Sequence, residues 1–444
     1  MLMEGNGREY RREFWGLAWP AAVEGLLLML LSSVDLIMVG RLGAEATSAV
    51  GIFAQPKMVL LCVPRSLAVA VSARIAFCHG RGAVKEQVQT MKLAAAAIAG
   101  GAAVLTAAAF AQLRPFLLLA GTEPQYLEMA EAYAEPMLVS LYLTSVSIVL
   151  HGGLLGIGNT KLMMTTNVLG NLTNIAANAL LIYGIGPFPS LGVRGAGIGT
   201  VCGSFLTLLL TIIFMKKESG GRLLSGGDGW KLSRRELWTL GRDFAGVLTE
   251  QGAERVGMFL YSRMAAGLGV VPFAVHTVCM SLCDFYYSFC QGLGKASLAL
   301  SGKWKGKEEP KVFRSSMKAG QMVGLRMSAA ACFLYMILRT PLLELYQSDK
   351  SAVLLGGHIM LLVAVVSFPE AQSLICSGAL RGAGQIHYVA AYSLVSIAVI
   401  RPIVTWILCY RLGMGLYGAW ISLFMDQCIR AGCASWRLKR ISGG

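Results

Sequence analysis

The chain has 444 residues, of which 55% are hydrophobic and 14% charged, which is too apolar for a soluble protein of this size. Its formal net charge of +15 invites a nucleic-acid partner, but where the 39 Lys and Arg fall along the chain excludes one. The eleven Cys are scattered through apolar stretches without a paired set, so no disulfide framework is expected.

Twelve apolar stretches are long enough to cross a bilayer as helices. In the first half they lie near 14–39, 47–76, 92–117, 129–155, 162–185 and 194–215. In the second they lie near 240–266, 272–300, 318–342, 352–378, 387–410 and 415–436. Span 1 follows Arg8–Arg12 and contains Pro20 and Glu24 in an apolar run too long for the h-region of a signal peptide, so no cleavable leader is expected. Glu24 and Asp35 are eleven residues apart, which returns to within about 20° of the same face at roughly 16 Å along the axis. Span 5 holds Asn174, Asn178 and a sequon at Asn171-Leu-Thr173 that lipid would hide. In span 6, Gly195, Gly199 and Gly203 recur every four residues, the spacing of a close helix-packing face. Gly195-x-Gly197-x-Gly199 lacks the strand-helix context of a dinucleotide loop, and without a phosphate-binding loop ATP is not the energy source.

The Gly-rich polar stretch from Ser219 to Lys231 reads as a cytoplasmic linker, here bounded as 219–238 between a first half, 1–218, and a second, 239–444. Span 7 places Glu250 and Glu254 at i and i+4 on one face, with Arg255 about 100° away. In span 8, His276, Cys279 and Cys283 share a helical face, but no fourth ligand accompanies them; they read as packing residues, not a metal site. Asp284 in span 8 and Glu370 in span 10 add two more acids near mid-depth. Pro20, Pro64, Pro136, Pro369 and Pro402 are candidate kinks or hinges.

The second half repeats the first at an offset of 226. Glu24 pairs with Glu250, Leu42-Gly43 with Leu268-Gly269, Met91-Lys92 with Met317-Lys318, and Pro115 with Pro341. Leu154-x-Gly156-x-Gly158 pairs with Leu380-x-Gly382-x-Gly384, and no gap is needed over about 135 residues. Each half crosses an even number of times, so the copies share one orientation. The expected fold is therefore all-α, with twelve transmembrane helices in two six-helix lobes related by a pseudo-two-fold axis along the membrane normal, and the substrate path between them. Counting charges at span ends with the adjoining loops, 24 Lys and Arg lie on the side of the termini and six on the other. That asymmetry predicts a multi-pass plasma (inner) membrane protein with both termini cytoplasmic. It also reduces the basic runs Lys216–Arg242 and Lys303–Lys318 to topology and lipid-headgroup contact.

A carboxylate inside a span costs several kcal/mol unless it is protonated, paired or facing water. Each acid has a bland alternative, an ion pair with Arg65, Arg74, Arg255, Arg263 or Arg401, but matched acids on spans 1 and 7 point to a cation path. A carboxyl group in a low-dielectric cavity takes up a proton near neutral pH, so H⁺ or Na⁺ and a cationic substrate compete for one negative site, which makes exchange obligatory.

A series of motifs begins with Leu17-Ala-Trp-Pro20 and Val34-Asp35-Leu-Ile-Met-Val-Gly40-Arg-Leu-Gly43. Gly158-Asn-Thr160, Asn174-Ile-Ala-Ala-Asn178-Ala-Leu-Leu-Ile-Tyr-Gly184 and Leu191-Gly-Val-Arg-Gly-Ala196 follow. Leu380-Arg-Gly-Ala-Gly384 and Gly415-Leu-Tyr-Gly-Ala-Trp420 complete the series, and its order and spacing are more specific than any one member. By these motifs the chain resembles the multidrug and toxic compound extrusion (MATE) family over nearly its whole length. The resemblance implies export of bulky, often cationic or amphipathic compounds by alternating access, driven by inward H⁺ or Na⁺. By it, Asp35 matches the span-1 aspartate implicated in cation coupling and Glu254 the span-7 glutamate of the NorM-like and eukaryotic branches. Asn174 and Asn178 match the polar pair of span 5, where DinF-like members have an aspartate at the second position. Glu370, in Phe368-Pro-Glu370-Ala-Gln372, stands near the span-10 aspartate of NorM-like members.

The expected partners are a small organic cation, a coupling cation and membrane lipid, with no cofactor, no metal and no nucleic acid, and the chain is expected to act as a monomer. The alternative is a flippase-like exporter of a lipid-linked or other amphipathic precursor, which would favour a cationic cavity. A membrane-embedded enzyme would need a nucleophile-base pair or metal set, and none is visible.

Overall fold

A computed structural model describes residues 2–119, 121–218, 234–346 and 349–443. Most of the expected linker, 219–233, lies outside the described residues, and its last five residues are already helical. Every regular element among the described residues is a helix, as a chain that must satisfy its backbone in lipid requires. In chain order these are α1 (Leu2–Gly40), α2 (Ala44–Leu60), α3 (Cys62–Gly80), α4 (Val84–Ala111), α5 (Leu113–Leu119), α6 (Leu127–Gly156), α7 (Thr160–Tyr183) and α8 (Gly192–Glu218). The second half supplies α9 (Arg234–Ala266), α10 (Val270–Gly306), α11 (Pro310–Glu344), α12 (Lys350–Gly382), α13 (Ile386–Val395), α14 (Arg401–Trp406) and α15 (Gly415–Gly443).

The helices run past the apolar spans: α9 begins at Arg234 where the span begins near 240, and α10 ends at Gly306 where the span ends near 300. Apolarity stops at the first charges, whereas Lys, Arg and Glu are good helix formers and carry the hydrogen-bond ladder into the interface. Two spans are broken instead. Pro64 cannot donate to the carbonyl of Leu60 nor Pro115 to that of Ala111, and α2 and α4 end at those two residues. Pro20, Pro136 and Pro369 lie inside unbroken helices. At the start of α12, Asp349 accepts from the amide (2.9 Å) and hydroxyl (2.7 Å) of Ser351, which holds its carboxyl below the usual range.

Among the described residues, nine helical segments are long and apolar enough to cross a membrane. The three expected spans outside that set are α7, α9 and α15, long enough at 24, 33 and 29 residues but interrupted by polar side chains. They are the helices that carry much of the site described below.

The repeat is written into the loops. Gly43 and Gly269 sit at φ 116° and 110°, and Gly158 and Gly384 at 84° and 80°, left-handed positions that favour glycine. Glu308, at Gly82's place in the repeat, adopts φ 58° where Gly82 has 69°.

The chain packs as two compact units, Val23–Phe244 and Met1–Ala22 with Ala245–Gly444. The cuts fall inside α1, just past Pro20, and inside α9, rather than at the 1–218 and 239–444 boundaries suggested by the repeat. The reason is local packing: Phe14 and Ala18 are buried in the core of α10, α11, α12 and α15. Gly292 and Gly320 leave the room. A Cβ on Gly320 would lie 2.6 Å from the Phe14 ring, and one on Gly292 would collide with the backbone of Ala21 and Ala22. Lys303 closes the contact on Glu13 at 2.7 Å.

Within Val23–Phe244, His151 of α6 ties α7 and α8 together through Thr166 and Thr211, at 3.0 Å each. In the other unit, His276 lies among the rings of Tyr261, Phe273 and Trp420, with centroids 5.3, 6.3 and 5.8 Å away, beside buried Cys279 and Cys283.

Candidate functional site

In the unit Val23–Phe244, the polar residues of α7 meet the acids of α1. Asn167, Asn171, Asn174 and Asn178 recur at helical spacing on one face of α7. Asn178 donates its amide to Asp35 Oδ1 at 3.0 Å. With its amide turned so that both ends are satisfied, Asn174 donates to both Asp35 oxygens, at 2.9 and 3.0 Å, and accepts from the amide and hydroxyl of Thr200 on α8. Asp35 is half-buried, and among the described residues no cation forms an ion pair with it. About two turns before Asn174 on the same face of α7, Asn167 donates to Glu24, which is 2% exposed. The structure thus brings Asp35, Asn174 and Asn178 together and places Glu24 apart from them, on Asn167.

The glycine face of α8 makes this possible. A Cβ on Gly195 would lie 2.5 Å from the carbonyl of Leu181, one on Gly199 2.9 Å from the backbone nitrogen of Asn178, and one on Gly203 2.6 Å from the carbonyl of Gly170. Replacing Gly203 by Val is expected to push α8 off α7, destabilise the protein by about 1–3 kcal/mol and displace Asn174 from Asp35. Thermal unfolding in detergent, with Gly100→Val as an open-space control, checks this.

The second unit handles its acids differently. Glu250 accepts from Arg381 at 2.6 Å and from Ser393 at 3.2 Å, a buried and neutralised pair. Glu254 is half-buried and accepts from Tyr287 at 3.1 Å. Glu370 is 4% exposed, with Oε2 lacking a hydrogen-bond partner, and lies within the electrostatic range of Asp284 and Arg430. Asp284 is exposed on α10. Glu254 is thus bonded by a tyrosine hydroxyl, whereas Glu250 is held in an ion pair.

Arg381, Asp426 and Arg430 are charged residues in the interior of this unit that the sequence reading passed over. Asp426 and Arg430 stand at i and i+4 in span 12, a spacing visible in the sequence; Arg381 sits at a helix end, and its tie to Glu250 spans 131 residues of chain. Of the five arginines weighed as partners, Arg74 pairs with Glu86 at 3.4 Å and Arg401 with Asp426, neither with the acids singled out. No group of three or more metal-ligating side chains gathers among the described residues.

The sequence model of the MatE family matches the chain twice, over residues 20–180 and 248–407. The chain belongs to the MatE family. The double match also restates the internal repeat. Relatives over nearly full length include a probable multidrug resistance protein NorM of Thermotoga maritima, 24% identical over 95% of this chain and 91% of that protein. The probable multidrug resistance protein NorM of Chromobacterium violaceum is 25% identical over 97% and 94%. In structure, the chain is similar to the Vibrio cholerae MATE transporter VcmN, with a TM-score of 0.90 at 17% identity over 98% of each chain. The all-α, twelve-helix fold expected from the spans is that of this family, and as a MatE protein the chain is a multi-pass membrane transporter.

Proposed function

We propose that this MatE protein is a secondary active antiporter. It exports bulky, cationic or amphipathic organic compounds in exchange for H⁺ or Na⁺ by alternating access. The multidrug resistance names of its relatives point to the cargo class. We place it in the plasma (inner) membrane as a monomer with both termini cytoplasmic, in two halves, 1–218 and 239–444, joined by 219–238.

One observation carries the reading. Asp35 is a half-buried carboxylate inside a span, held by two neutral amides and by no ion pair among the described residues. Amides orient the carboxylate without cancelling its charge, so it retains its pull on a cation. Glu254, bonded by Tyr287, and Glu370 and Asp284 are further acids of the other unit without an ion pair among the described residues, whereas Glu250 is neutralised by Arg381 and serves to hold helices together.

The energetics fit an exchanger. One proton moving down one pH unit supplies about 1.4 kcal/mol, and each net charge moved through 100 mV adds about 2.3 kcal/mol. A one-for-one swap of monocation and proton is electroneutral and so reaches about tenfold accumulation per pH unit.

The test is ethidium efflux from proteoliposomes under separate H⁺ and Na⁺ gradients, for wild type and Glu254→Gln. Efflux driven by one gradient and reduced at least about tenfold in the variant is the expected result. Folded protein with no gradient-driven efflux would overturn the exchanger reading and favour a lipid-linked cargo.

A further inference from the structure

The two units can be compared contact by contact, and at one place they part. Asn167 bonds Glu24, and Ser393 bonds Glu250, each across 143 residues. Farther along the same helices, Tyr183 donates to the carbonyl of Met38 across 145 residues, whereas Tyr410 donates to that of Met264 across 146. One extra residue therefore lies between Ser393 and Tyr410. A π-helical turn, Ser396–Ile400, falls in that interval, and a second, Ile407–Arg411, closes it; α7 has neither. A π-turn is how a helix absorbs an inserted residue, and such turns concentrate at functional positions.

Past the first π-turn the insertion puts Arg401 at the place of Asn174, and Thr405 at that of Asn178. On the last helix of each half, Gly192-x-x-Gly195-Ala196 aligns with Gly415-x-x-Gly418-Ala419. That sets Ser422 against Gly199 and Asp426 against Gly203. The contacts agree with this register. Gly199 abuts Asn178, and Ser422 bonds Thr405 at 2.7 Å; Gly203 abuts Asn174, and Asp426 pairs with Arg401. Asp35 itself corresponds to Tyr261, whose ring lies beneath the Arg401 guanidinium at 5.9 Å.

We propose that Arg401 is a tethered cation. It occupies, in the second unit, the place that Asp35, Asn174 and Asn178 leave to an exchangeable cation in the first, and its removal opens a monovalent-cation site at Asp426. An aromatic ring replaces the first unit's acid, an arginine replaces its amide, and an aspartate replaces the glycine behind. The result is a neutral pair, with Arg401 3% and Asp426 1% exposed. Ser396 donates to Asp426 at 2.5 Å, and a sulfur of Met258 accepts from the guanidinium at 3.1 Å. Nothing in that arrangement needs a mobile ion, because the ion is a side chain. In the first unit, the Asp35 carboxylate stays half-exposed. At these paired positions the protein thus carries one exchangeable cation site, not two. This inference rests on the reading of Asp35 as a cation-exchanging acid.

The experiment uses the full chain in detergent at pH 8. Thermal unfolding is followed in 50 mM choline, lithium, sodium, potassium or guanidinium chloride. Arg401→Gln is expected to unfold earlier than wild type in choline and to regain about 3 °C or more in at least one of the other salts. Arg401→Lys, which keeps the tether, and the double variant Arg401→Gln/Asp426→Asn, which removes the acid, are expected to show no such salt response. A merely structural ion pair predicts an Arg401→Gln protein that is equally unstable in every salt. That result, a response that survives in the double variant, or failure of Arg401→Gln to fold in all five salts overturns the proposal. Asp35→Asn, assayed for efflux alongside, keeps the two readings apart. If it retains gradient-driven efflux, the Asp35 reading fails and the Arg401 response is still read from unfolding. If it loses efflux while Arg401→Gln shows no response, the tether alone fails.

Discussion

Asp35→Asn is expected to bring gradient-driven efflux down to the background of protein-free liposomes while leaving the fold intact. The substitution changes volume little and keeps the chain of contacts from α1 through α7 to α8. It removes the charge and turns one of the acceptors facing Asn174 and Asn178 into a donor. The loss of one good hydrogen bond costs about 1 kcal/mol, small beside the loss of the only charge those amides hold in place. Efflux and thermal unfolding measured on the same preparation separate the two effects. Retention of more than about a tenth of wild-type efflux, a barrier raised by less than about 1.4 kcal/mol, would remove Asp35 from the cation path.

The second large effect falls on stability. Arg381→Met leaves the buried Glu250 carboxylate with Ser393 as its remaining hydrogen-bond donor and no ion-pair partner among the described residues, and breaking a buried pair from one side costs about 3–5 kcal/mol. The double variant Arg381→Met/Glu250→Gln removes the stranded charge and is expected to recover most of that loss. Unfolding midpoints of the single and double variants form the check. If the single variant is as stable as wild type, water reaches Glu250 and the pair is not the clamp its burial indicates. The contrast with Asp35→Asn is informative, because one acid is held by amides and keeps its charge for a ligand, while the other is cancelled by an arginine and keeps its helices in place.

The architecture was legible in the sequence, as was the meeting of Asp35 with Asn174 and Asn178, because both are periodic. Apolar runs count the spans, and the offset of 226 shows the duplication. Helical spacing puts Asp35 and Glu24 on one face and Asn174 and Asn178 on another, and these faces meet. What escaped depends on contacts between distant stretches. Nothing local to Arg381 announces Glu250. Asp426 was passed over because its partner Arg401 lies on another helix, in a register that a gapless repeat does not predict. The gapless offset holds as far as Ser393 and fails within the next seventeen residues, where a π-turn takes up the extra residue. Hydropathy also undercounts α7, α9 and α15, since the polar groups that make those helices useful make them read less like membrane spans.

The placement of the cuts between the two packing units has one further consequence. Residues Met1–Ala22 belong to the core built by the second half, while the start of α9, through Glu236, Thr239, Leu240 and Asp243, lines a crevice with Arg74, Gln89, Thr90 and Leu93 of the first. Each half of the gene therefore lends an arm to the other's product, in the manner of a domain swap closed within one polypeptide. A lineage that split the gene at the repeat boundary would have two proteins, each missing a piece of its own core and carrying a piece of its partner's. Duplication made the halves alike, and the exchange of arms made them inseparable.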